Sequence, residues 1–462
     1  MPVDSTHEEY QDALPQWERC RNTYSGSDAV KSKGATYLPE LESHSSAEYV
    51  AYRMRALFYN AMRATVKGLA GAVFHKPLSV EVPELIEPML ADVTQSSVPL
   101  EAYALKTTDE VLQVGRVGLL AEMPVATDGE AGRPYLCSYR AEDIVNWRTE
   151  RIGGERVLTR VVLLESESAV DPKDAFAYVT AQRYRVLMLD ADGFYRVEIW
   201  RPKSKANKTW MLDEVIEPAR LGARVPFIPF VFIPGIDVTP PPLLDLCDAN
   251  LSHYRNSADY QNAMHYTGQP SVWISGAAAN DDGDGFDLGA GTATMLPPEG
   301  KMGILQADGK NAEGLRNLLK DTEGQMATLG ARMLEQQAPH QETAHAVRMR
   351  HAGEHATLRT ITVAVEVGLS MALRYLAWWA GANGADGEAL PDAALELNKD
   401  FFGMTMTAED LKALMLLWQS GGMAWETFYH NMQKGNLTRP DVDAEEERRE
   451  ISVEGDLLPL GG

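Results

Sequence analysis

The sequence predicts an α+β protein, and three observations support that prediction. Residues 116–236 contain stretches rich in β-branched and aromatic residues, such as "RVLTRVVLLE" and "YVTAQRYRVLMLD", which are typical of strands. "DADG" at 190–193 joins two of these strands and indicates a hairpin, because Asp and Gly tolerate positive φ. On both sides of this region, apolar residues recur at three- and four-residue steps, which indicates amphipathic helices. We therefore expect a largely antiparallel sheet together with several helices.

The first part of the chain divides at polar and turn-forming residues. Residues 1–45 are polar and turn-rich, and we expect an N-terminal extension there. A helical pattern begins near Ser46, passes through Leu57 and closes at "GLAG" and "KPL", where Gly and Pro end helices. A further helix is predicted over 100–114, ending at Gly115.

The second part of the chain is dominated by long helices. After a triple proline, a helix is predicted over 243–266, and residues 268–310 are then glycine-rich with little periodicity. A second helix is predicted over 313–334. Pro339 interrupts the pattern before a very long helix over 342–380, and "TAED" begins a helical C-terminal part.

Composition and charge limit the classes of function. A chain of 462 residues is too long for one core and suggests about two to four structural units. Its 43 basic and 66 acidic residues give a net charge of −23. That sign is wrong for a protein that grips nucleic acid by neutralising phosphates, yet it is compatible with a protein that lets DNA slide past.

Cysteine usage and hydropathy point to a protein made in a reducing compartment. The three cysteines, Cys20, Cys137 and Cys247, form no C-x-x-C pair, so neither a disulfide framework nor a thiolate zinc site is expected. The N-terminus is acidic and lacks the apolar core of a signal peptide. The apolar runs at 225–236 and 361–380 are short or interrupted, so we expect no membrane span.

One motif suggests metal chemistry. Residues 351–355, "HAGEH", match the H-x-x-E-H pattern of inverted zinc peptidases. The alternative is that the two histidines continue the packing stripe of the long helix, which steps by four and three residues through Val347, His351, His355, Leu358, Thr362, Val365, Leu369, Ala372, Leu376 and Trp379. A third zinc ligand does not stand out, so the packing interpretation is favoured and a zinc metallopeptidase using Glu354 stays the alternative.

Other catalytic patterns are missing from the sequence. G-x-G-x-x-G, the P-loop pattern and G-x-S-x-G do not occur. The acidic loop around Asp282 and Asp284 lacks the further ligands and the glycine of an EF-hand. We expect no catalytic residue, no cofactor and no bound metal, and paired Trp378 and Trp379 are expected in a core or an interface.

The order of elements resembles the portal proteins of tailed bacteriophages, the head-to-tail connector subunits. The stretches that carry the likeness are "AYRMRALFYNAMRATVKGLAGAVFHKP", "YRAEDIVNWR", "ETAHAVRMRHAGEHATLRTITVAVEVGLSMALRYLAWWAG" and "WETFYHNMQKGNL". The likeness spans roughly 35–450 and is specific in combination.

This resemblance implies the portal-protein fold, with an α/β wing containing a mainly antiparallel sheet, two stem helices, a small clip, a long wing helix and a helical crown. The implied parts are the N-terminal extension 1–45, wing 46–242, first stem helix 243–267, clip 268–310, second stem helix 311–335, tunnel loop 336–345, long wing helix with its following loop 346–400, and crown with C-terminal tail 401–462.

The resemblance also assigns candidate site residues by position. The tunnel loop would project towards DNA with Gln336, Gln337, Ala338, Pro339, His340 and Gln341. Candidates for the channel wall of the stem are Arg255, Arg316, Lys320, Glu323, Arg332 and Glu335. The clip would dock partners near Asp281, Asp282, Asp284 and Asp287.

The implied function is a ring of about twelve copies at one capsid vertex. Double-stranded DNA would be packaged and ejected through its channel. The implied partners are the terminase large subunit, the major capsid and scaffolding proteins and a head-to-tail adaptor, with no membrane. The protein would be assembled in the host cytoplasm and reside in the virion.

The charge of the implied stem and clip suits a sliding contact. Residues 243–342 hold fourteen acidic and six basic residues, a net charge of −8. An acidic passage repels phosphate and lets DNA move, whereas a basic one would hold it. Alternatively, these acids face solvent outside a channel.

Overall fold

The structure is a computed structural model and describes the chain with gaps. The described residues are 2–42, 44–124, 132–171, 174–203, 209–268, 271–275, 299–305, 310–330, 344–384, 390–399, 401, 412, 415–418, 422–434, 438 and 442–449, and for some of them, 344–356 included, the backbone alone is described. They form two compact units, one of residues 1–71 with 78–397 and one of 72–77 with 398–462.

Helices dominate both ends of the first unit. The helices up to residue 380 are α1 (Glu8–Ser25), α2 (Ser27–Ser32), α3 (Ser46–Arg55), α4 (Ala61–Val73), α5 (Leu100–Val114), α6 (Leu244–Thr267), α7 (Lys310–Leu329) and α8 (Ala344–Ala380). Short 3₁₀ turns occur at Gly34–Thr36, Glu87–Ala91 and Ala141–Asp143.

Strands fill the middle of the first unit. They are β1 (Ser79–Glu81), β2 (Val117–Glu122), β3 (Tyr135–Arg140), β4 (Ile144–Ile152), β5 (Glu155–Asp171), β6 (Asp174–Leu189), β7 (Tyr195–Pro202), β8 (Trp210–Ile216), β9 (Ala219–Arg220), β10 (Ala223–Arg224), β11 (Phe230–Ile233), β12 (Ser271–Ser275), β13 (Lys301–Leu305) and β14 (Ala394–Glu396).

The sheets are antiparallel, as the sequence predicts. The largest has the order β4-β5-β6-β7-β8, so each strand pairs with its neighbour in sequence. A second sheet has the order β11-β2-β3. The predicted "DADG" hairpin is confirmed: Asp190 N–H donates to the Phe194 carbonyl at 2.8 Å, and Gly193 takes a φ of +85°. The α+β class is therefore confirmed.

The prediction for the first 45 residues is wrong over 8–25. That segment is helix α1, which contacts α5 and α6. Its buried residues follow helical spacing: Tyr10, Ala13, Trp17, Cys20 and Thr23. Trp17 and Cys20 are fully buried. The N-terminal segment is thus part of the core of the first unit rather than a polar appendage.

The helix predicted from Ser46 is two helices with a break at 56–60. Side chains of α6 bond the backbone at the break, since Asn250 Nδ2 donates to the Tyr59 carbonyl at 2.6 Å and Asn250 Oδ1 accepts from Met62 N–H at 3.2 Å. Leu57, predicted on the apolar stripe, is 60% exposed. Hydrogen bonds from a distant helix replace those that a continuous helix would make.

The long helix α8 packs on β2 and β11, and its predicted stripe is confirmed from residue 358 onwards. Trp379 Nε1 donates to the Ala121 carbonyl at 3.1 Å. The stripe residues with described side chains are all buried: Leu358, Thr362, Val365, Leu369, Ala372, Leu376 and Trp379. Thr357–Ala380 is long and apolar enough to cross a membrane by length and composition, yet its apolar stripe is covered by the sheet.

The second unit is small and helical where it is described. Its main helix is Trp425–Lys434, and residues 415–418 and 444–449 are also helical. Trp425 Nε1 donates to the Ala444 carbonyl at 2.8 Å. The Trp418 ring stacks on Phe428 with 4.9 Å between centroids. The predicted helix start at "TAED" lies outside the described residues.

Candidate functional site

Helices α6 and α7 form an antiparallel pair, the first feature of the predicted stem. Leu246, near the start of α6, lies beside Gly330 at the end of α7, and His253 Nε2 lies 3.3 Å from Glu323 Oε1. At about 1.5 Å per residue, the 24 residues of α6 extend roughly 36 Å. The predicted boundaries of α6 are confirmed to within one residue.

The strands β12 and β13 follow α6 and precede α7. They pair from Ser271 with Leu305 to Ser275 with Lys301. Gly303 lies against the Trp273 ring, where a Cβ would come within 2.8 Å of ring atoms. The segment predicted as a clip therefore contains the two paired strands of a β-hairpin, which is not evident from the sequence.

Polar contacts fix α6 to the N-terminal helices. Tyr52 Oη donates to Asp259 Oδ1 at 2.5 Å, and Arg55 Nη2 donates to Asn262 Oδ1 at 2.9 Å. Burial and the bond to Asp259 raise the pKa of Tyr52, so the phenol stays protonated. The polar side of α6 thereby faces α3.

Asp248 of α6 is also engaged with the N-terminal segment, because Arg19 Nε lies 3.0 Å from its Oδ1. Two of the acids counted for a channel wall, Asp248 and Asp259, are therefore directed towards α1 and α3. For these two, the alternative that the acids face away from a channel is favoured.

Helix α7 leaves most of its surface open. Ala312, Thr322 and Met326 form its buried stripe. Its exposed charged residues are Glu313, Arg316, Lys320, Asp321 and Glu323, and of these Glu323 faces His253 of α6. The structure therefore assigns to α7, more than to α6, a charged surface available to a ligand or partner.

The predicted channel-wall residues separate into three groups. Arg316 and Lys320 are exposed on α7, and Glu323 is exposed but directed towards His253 of α6. Arg255 is turned towards the N-terminal segment, because its Nε donates to the Tyr37 carbonyl at 3.0 Å. Arg332 and Glu335 lie outside the described residues.

Two further sets of predicted site residues lie outside the described part of the chain. The tunnel-loop residues are Gln336, Gln337, Ala338, Pro339, His340 and Gln341, and the clip acids are Asp281, Asp282, Asp284 and Asp287. They remain predictions. Helices α6 and α7 together carry six acidic and four basic residues, so most of the acidic excess of 243–342 lies outside the two helices.

The H-x-x-E-H segment lies within helix α8. The backbone of 351–355 is helical, and the side chains of His351, Glu354 and His355 are not among the described ones. Among the described residues, no group of three or more His, Cys, Asp and Glu side chains is placed to hold a metal ion. No described contact supports the zinc interpretation.

The residues that position α6 are not evident from the sequence. Tyr52, Asn250 and Arg19 hold it through contacts between residues about 190–230 positions apart. The local sequence around each carries no signal for such contacts, since a hydrogen bond between distant helices leaves no periodicity. Only the helical spacing of the buried residues of α1 could have indicated a helix near α6.

Comparison with known proteins gives one family match and several structural neighbours. Residues 242–380, which contain α6, α7 and α8, match the family model described as "Domain of unknown function (DUF4055)". The sequence has no match among curated proteins.

The structural neighbours come from gene transfer agent (GTA) particles. A chain from "Neck of empty GTA particle computed with C6 symmetry" aligns with a TM-score of 0.37 and 14% identity, covering 83% of this chain and 91% of that one. A chain from "Virion of native gene transfer agent (GTA) particle" gives 0.35 and 13%, with 86% and 94% covered. One from "Neck of native GTA particle computed with C12 symmetry" gives 0.35 and 13%, with 89% and 98% covered.

These neighbours are chains of the neck and virion of gene transfer agent particles. With TM-scores below 0.5, the likeness itself carries no argument about mechanism. The mechanism is therefore inferred from the residues and contacts of this chain.

Proposed function

We propose that this chain is a phage portal subunit, a component of the head–tail junction that forms a ring around a channel for double-stranded DNA. The observation that carries the proposal is the antiparallel pair α6–α7, interrupted by the β12–β13 hairpin and followed by the long helix α8. This order agrees with the stem, clip, stem and wing that the sequence resemblance implies, with the hairpin at the position of the clip.

The contacts of α6 support a structural role for the pair. Asn250, Tyr52 and Arg19 tie α6 to the body of the first unit at several points along its length. In a channel wall, a helix held in this way would keep its position while DNA moves past it. We infer that α6 is the supporting helix and α7 the one nearer to the DNA.

The charge pattern of α7 supports transient rather than tight contact with DNA. Arg316 and Lys320 can each contact a phosphate, while Glu313 and Asp321 limit how long such a contact lasts. A face with both signs offers exchangeable contacts without the continuous basic stripe of a DNA-binding protein.

The proposal assigns no catalysis to this chain. The ring would number about twelve subunits, and a separate terminase would supply ATP-driven force. The ring would nucleate the capsid with the major capsid and scaffolding proteins in the host cytoplasm. It would then stay in the virion at one capsid vertex and bind a head-to-tail adaptor after packaging.

Electron microscopy of the purified protein tests the proposal directly. We expect end-on particles with rotational symmetry and a central hole wide enough for a DNA duplex. Compact particles without symmetry, at micromolar concentration and across salt conditions, would contradict it. Metal analysis of the same sample tests the zinc alternative, for which bound zinc and chelator-sensitive proteolysis would be required.

A further inference from the structure

The β5–β6 hairpin is longer than the sheet to which it belongs. Strand β4 pairs with β5 only as far as Leu163, and β7 pairs with β6 only from Tyr184 to Leu189. In the part of the chain that the structure describes, residues 165–171 and 174–183 have no strand partner except each other. We call these residues the β-arm. At about 3.3 Å per residue, the β-arm projects roughly 25 Å beyond its neighbours.

One face of the β-arm carries no charge. Val170 pairs with Tyr178, Ser168 with Thr180 and Ser166 with Gln182. The Ser168 and Thr180 hydroxyl oxygens lie 3.2 Å apart, which places the two side chains together on this face. Phe176 lies beyond these pairs, where the register between β5 and β6 shifts. We call the six paired residues the neutral face.

Three apolar residues near the tip of the β-arm are open to solvent, and Asp171 and Asp174 form the last pair of the arm. Phe176 is 96% exposed, Tyr178 70% and Val170 50%. Aromatic residues are enriched in the cores of protein–protein contacts, and an isolated hairpin tip gains nothing from exposing them. The tip therefore has the composition of a contact surface.

The opposite face of the β-arm is charged, and its charges are paired within the chain. Arg183 Nε lies 2.7 Å from Glu165 Oε2, and Arg201 Nη2 lies 3.0 Å from Glu167 Oε2. Arg201 also binds Asp213 of β8 at 3.0 Å. These ion pairs hold the base of the β-arm against the sheet and leave the neutral face for an external partner.

We propose that the neutral face of the β-arm docks on a second copy of this chain, against the exposed side of its edge strand β8. The proposal rests on the proposed function in that a ring supplies the neighbouring copy. Each copy carries a net charge of −23, so copies repel one another and contacts between them need surfaces without acids. The neutral face meets that need.

A second copy also offers a matching apolar surface. Strand β8 is the last strand of the five-stranded sheet, and its Leu212 and Val215, which share one face by their pairing with β7, are each 44% exposed. A contact from the β-arm of one copy to β8 of the next joins two different surfaces. Such head-to-tail contacts close into rings when the rotation allows. Nucleic acid is a poorer occupant, because the neutral face has no cation to offer phosphate.

The test compares the double variant Phe176→Ser/Tyr178→Ser with a matched control, Met54→Ser, whose side chain is 71% exposed on α3. All three substitutions remove exposed apolar groups and leave the buried core intact. Sedimentation velocity over a concentration series gives the fraction of ring. We expect the double variant to need at least a tenfold higher concentration than wild type or Met54→Ser to reach half assembly.

A cross-linking experiment identifies the receiving surface. Phe176→Cys and Leu212→Cys chains, prepared separately and assembled together, should form disulfide-linked dimers under a mild disulfide oxidant, with each chain alone forming few. The docking inference is overturned if wild type forms rings, the double variant reaches half assembly at the same concentration as wild type, and no cross-link forms. The portal proposal stands in that case. Monomeric wild-type protein under every condition would overturn both.

Discussion

Arg21 donates two parallel hydrogen bonds to Glu142, from Nε to Oε1 and from Nη2 to Oε2, each 2.9 Å long. Its Nη1 lies 2.8 Å from Glu110 Oε2 on α5. Burial alone would lower the pKa of Arg21, but the bond to Glu142 and the charge of Glu110 raise it overall. One arginine of α1 therefore joins the N-terminal segment to α5 and to the turn before β4.

Arg21→Met should destabilise the first unit by about 3–5 kcal/mol, because it leaves two largely buried carboxylates without their shared cation. Glu110 and Glu142 side chains are only 11% and 20% exposed. Urea unfolding measures the loss. The triple variant Arg21→Met/Glu110→Gln/Glu142→Gln is the control and should recover most of the stability. A loss below about 1 kcal/mol for Arg21→Met would show that the network contributes little.

Gly368→Ala should also destabilise the protein, although alanine is the better helix former. A Cβ at residue 368 would lie 2.3 Å from Ile233 Cγ1 and 2.4 Å from Ile233 Cδ1, so α8 could not keep its distance from β11. We expect a cost of about 1–3 kcal/mol in thermal or urea unfolding.

The partner substitution Ile233→Ala provides a double-mutant cycle for this contact. If the clash is the cause, Gly368→Ala should be less costly in the Ile233→Ala background than in wild type. A stabilising effect of Gly368→Ala in the wild-type background would contradict the close approach.

Asp143→Asn should change how stability depends on pH. Burial, followed by the charge of Glu142, raises the pKa of Asp143 above its ordinary value of 3.8. A raised folded-state pKa means that the folded protein binds the proton more tightly, so ionisation costs stability as pH rises through that pKa. The asparagine variant removes this cost.

The variant should therefore be more stable than wild type at pH 7, with the difference shrinking as pH falls towards 3.8. Thermal unfolding of both proteins across this range measures the effect. Glu155→Gln, an exposed change of the same type, serves as the control. A difference that grows on acidification would contradict the assigned direction.

Local patterns account for the elements that the sequence predicts correctly. Helix α5 ends at Gly115, which takes a φ of +78° that glycine adopts without strain. The stripe of α8 and the turn at 190–193 are equally local. Helix α1 has the same kind of signal in Tyr10, Ala13, Trp17 and Cys20, but its polar composition and Pro15 concealed it.

Contacts between distant residues account for what the sequence does not predict. Gly368 permits close packing of α8 against Ile233, a contact that nothing in the local sequence indicates. The acids of α6 were counted towards a channel, yet Asp248 and Asp259 are engaged by Arg19 and Tyr52. Charge counts give a total, whereas the direction of each carboxylate depends on the tertiary fold.

The fold also brings together two cysteines that lie far apart in sequence. Cys20 and Cys247 are hydrogen-bonded and fully buried, and the Cys247 thiol also donates to Thr23 Oγ1 at 3.2 Å. The bond to Cys247, together with burial, raises the pKa of the Cys20 thiol. Burial raises the pKa of Cys137 to about 12.

These thiols should be unreactive in the folded protein, because Cys20 and Cys247 are fully buried and the raised pKa of Cys137 keeps it in the unreactive thiol form. Ellman's reagent at pH 7.5 should detect almost no thiol in native protein and all three after unfolding in urea. A rapid reaction of one thiol under native conditions would show that a cysteine is accessible or ionised.

Charge reversal on α7 should convert a surface that contacts DNA transiently into one that binds DNA. Glu313→Lys/Asp321→Lys places two cations beside Arg316 and Lys320 on the exposed side of the helix. Each added phosphate contact should steepen the dependence of log affinity on log salt by about 0.9. The control Glu84→Lys/Glu155→Lys makes the same change in net charge at exposed positions outside the helix pair. We expect duplex DNA to bind the α7 variant more tightly than the control at low salt, and equal binding by the two variants would contradict the assignment of α7 to the DNA side.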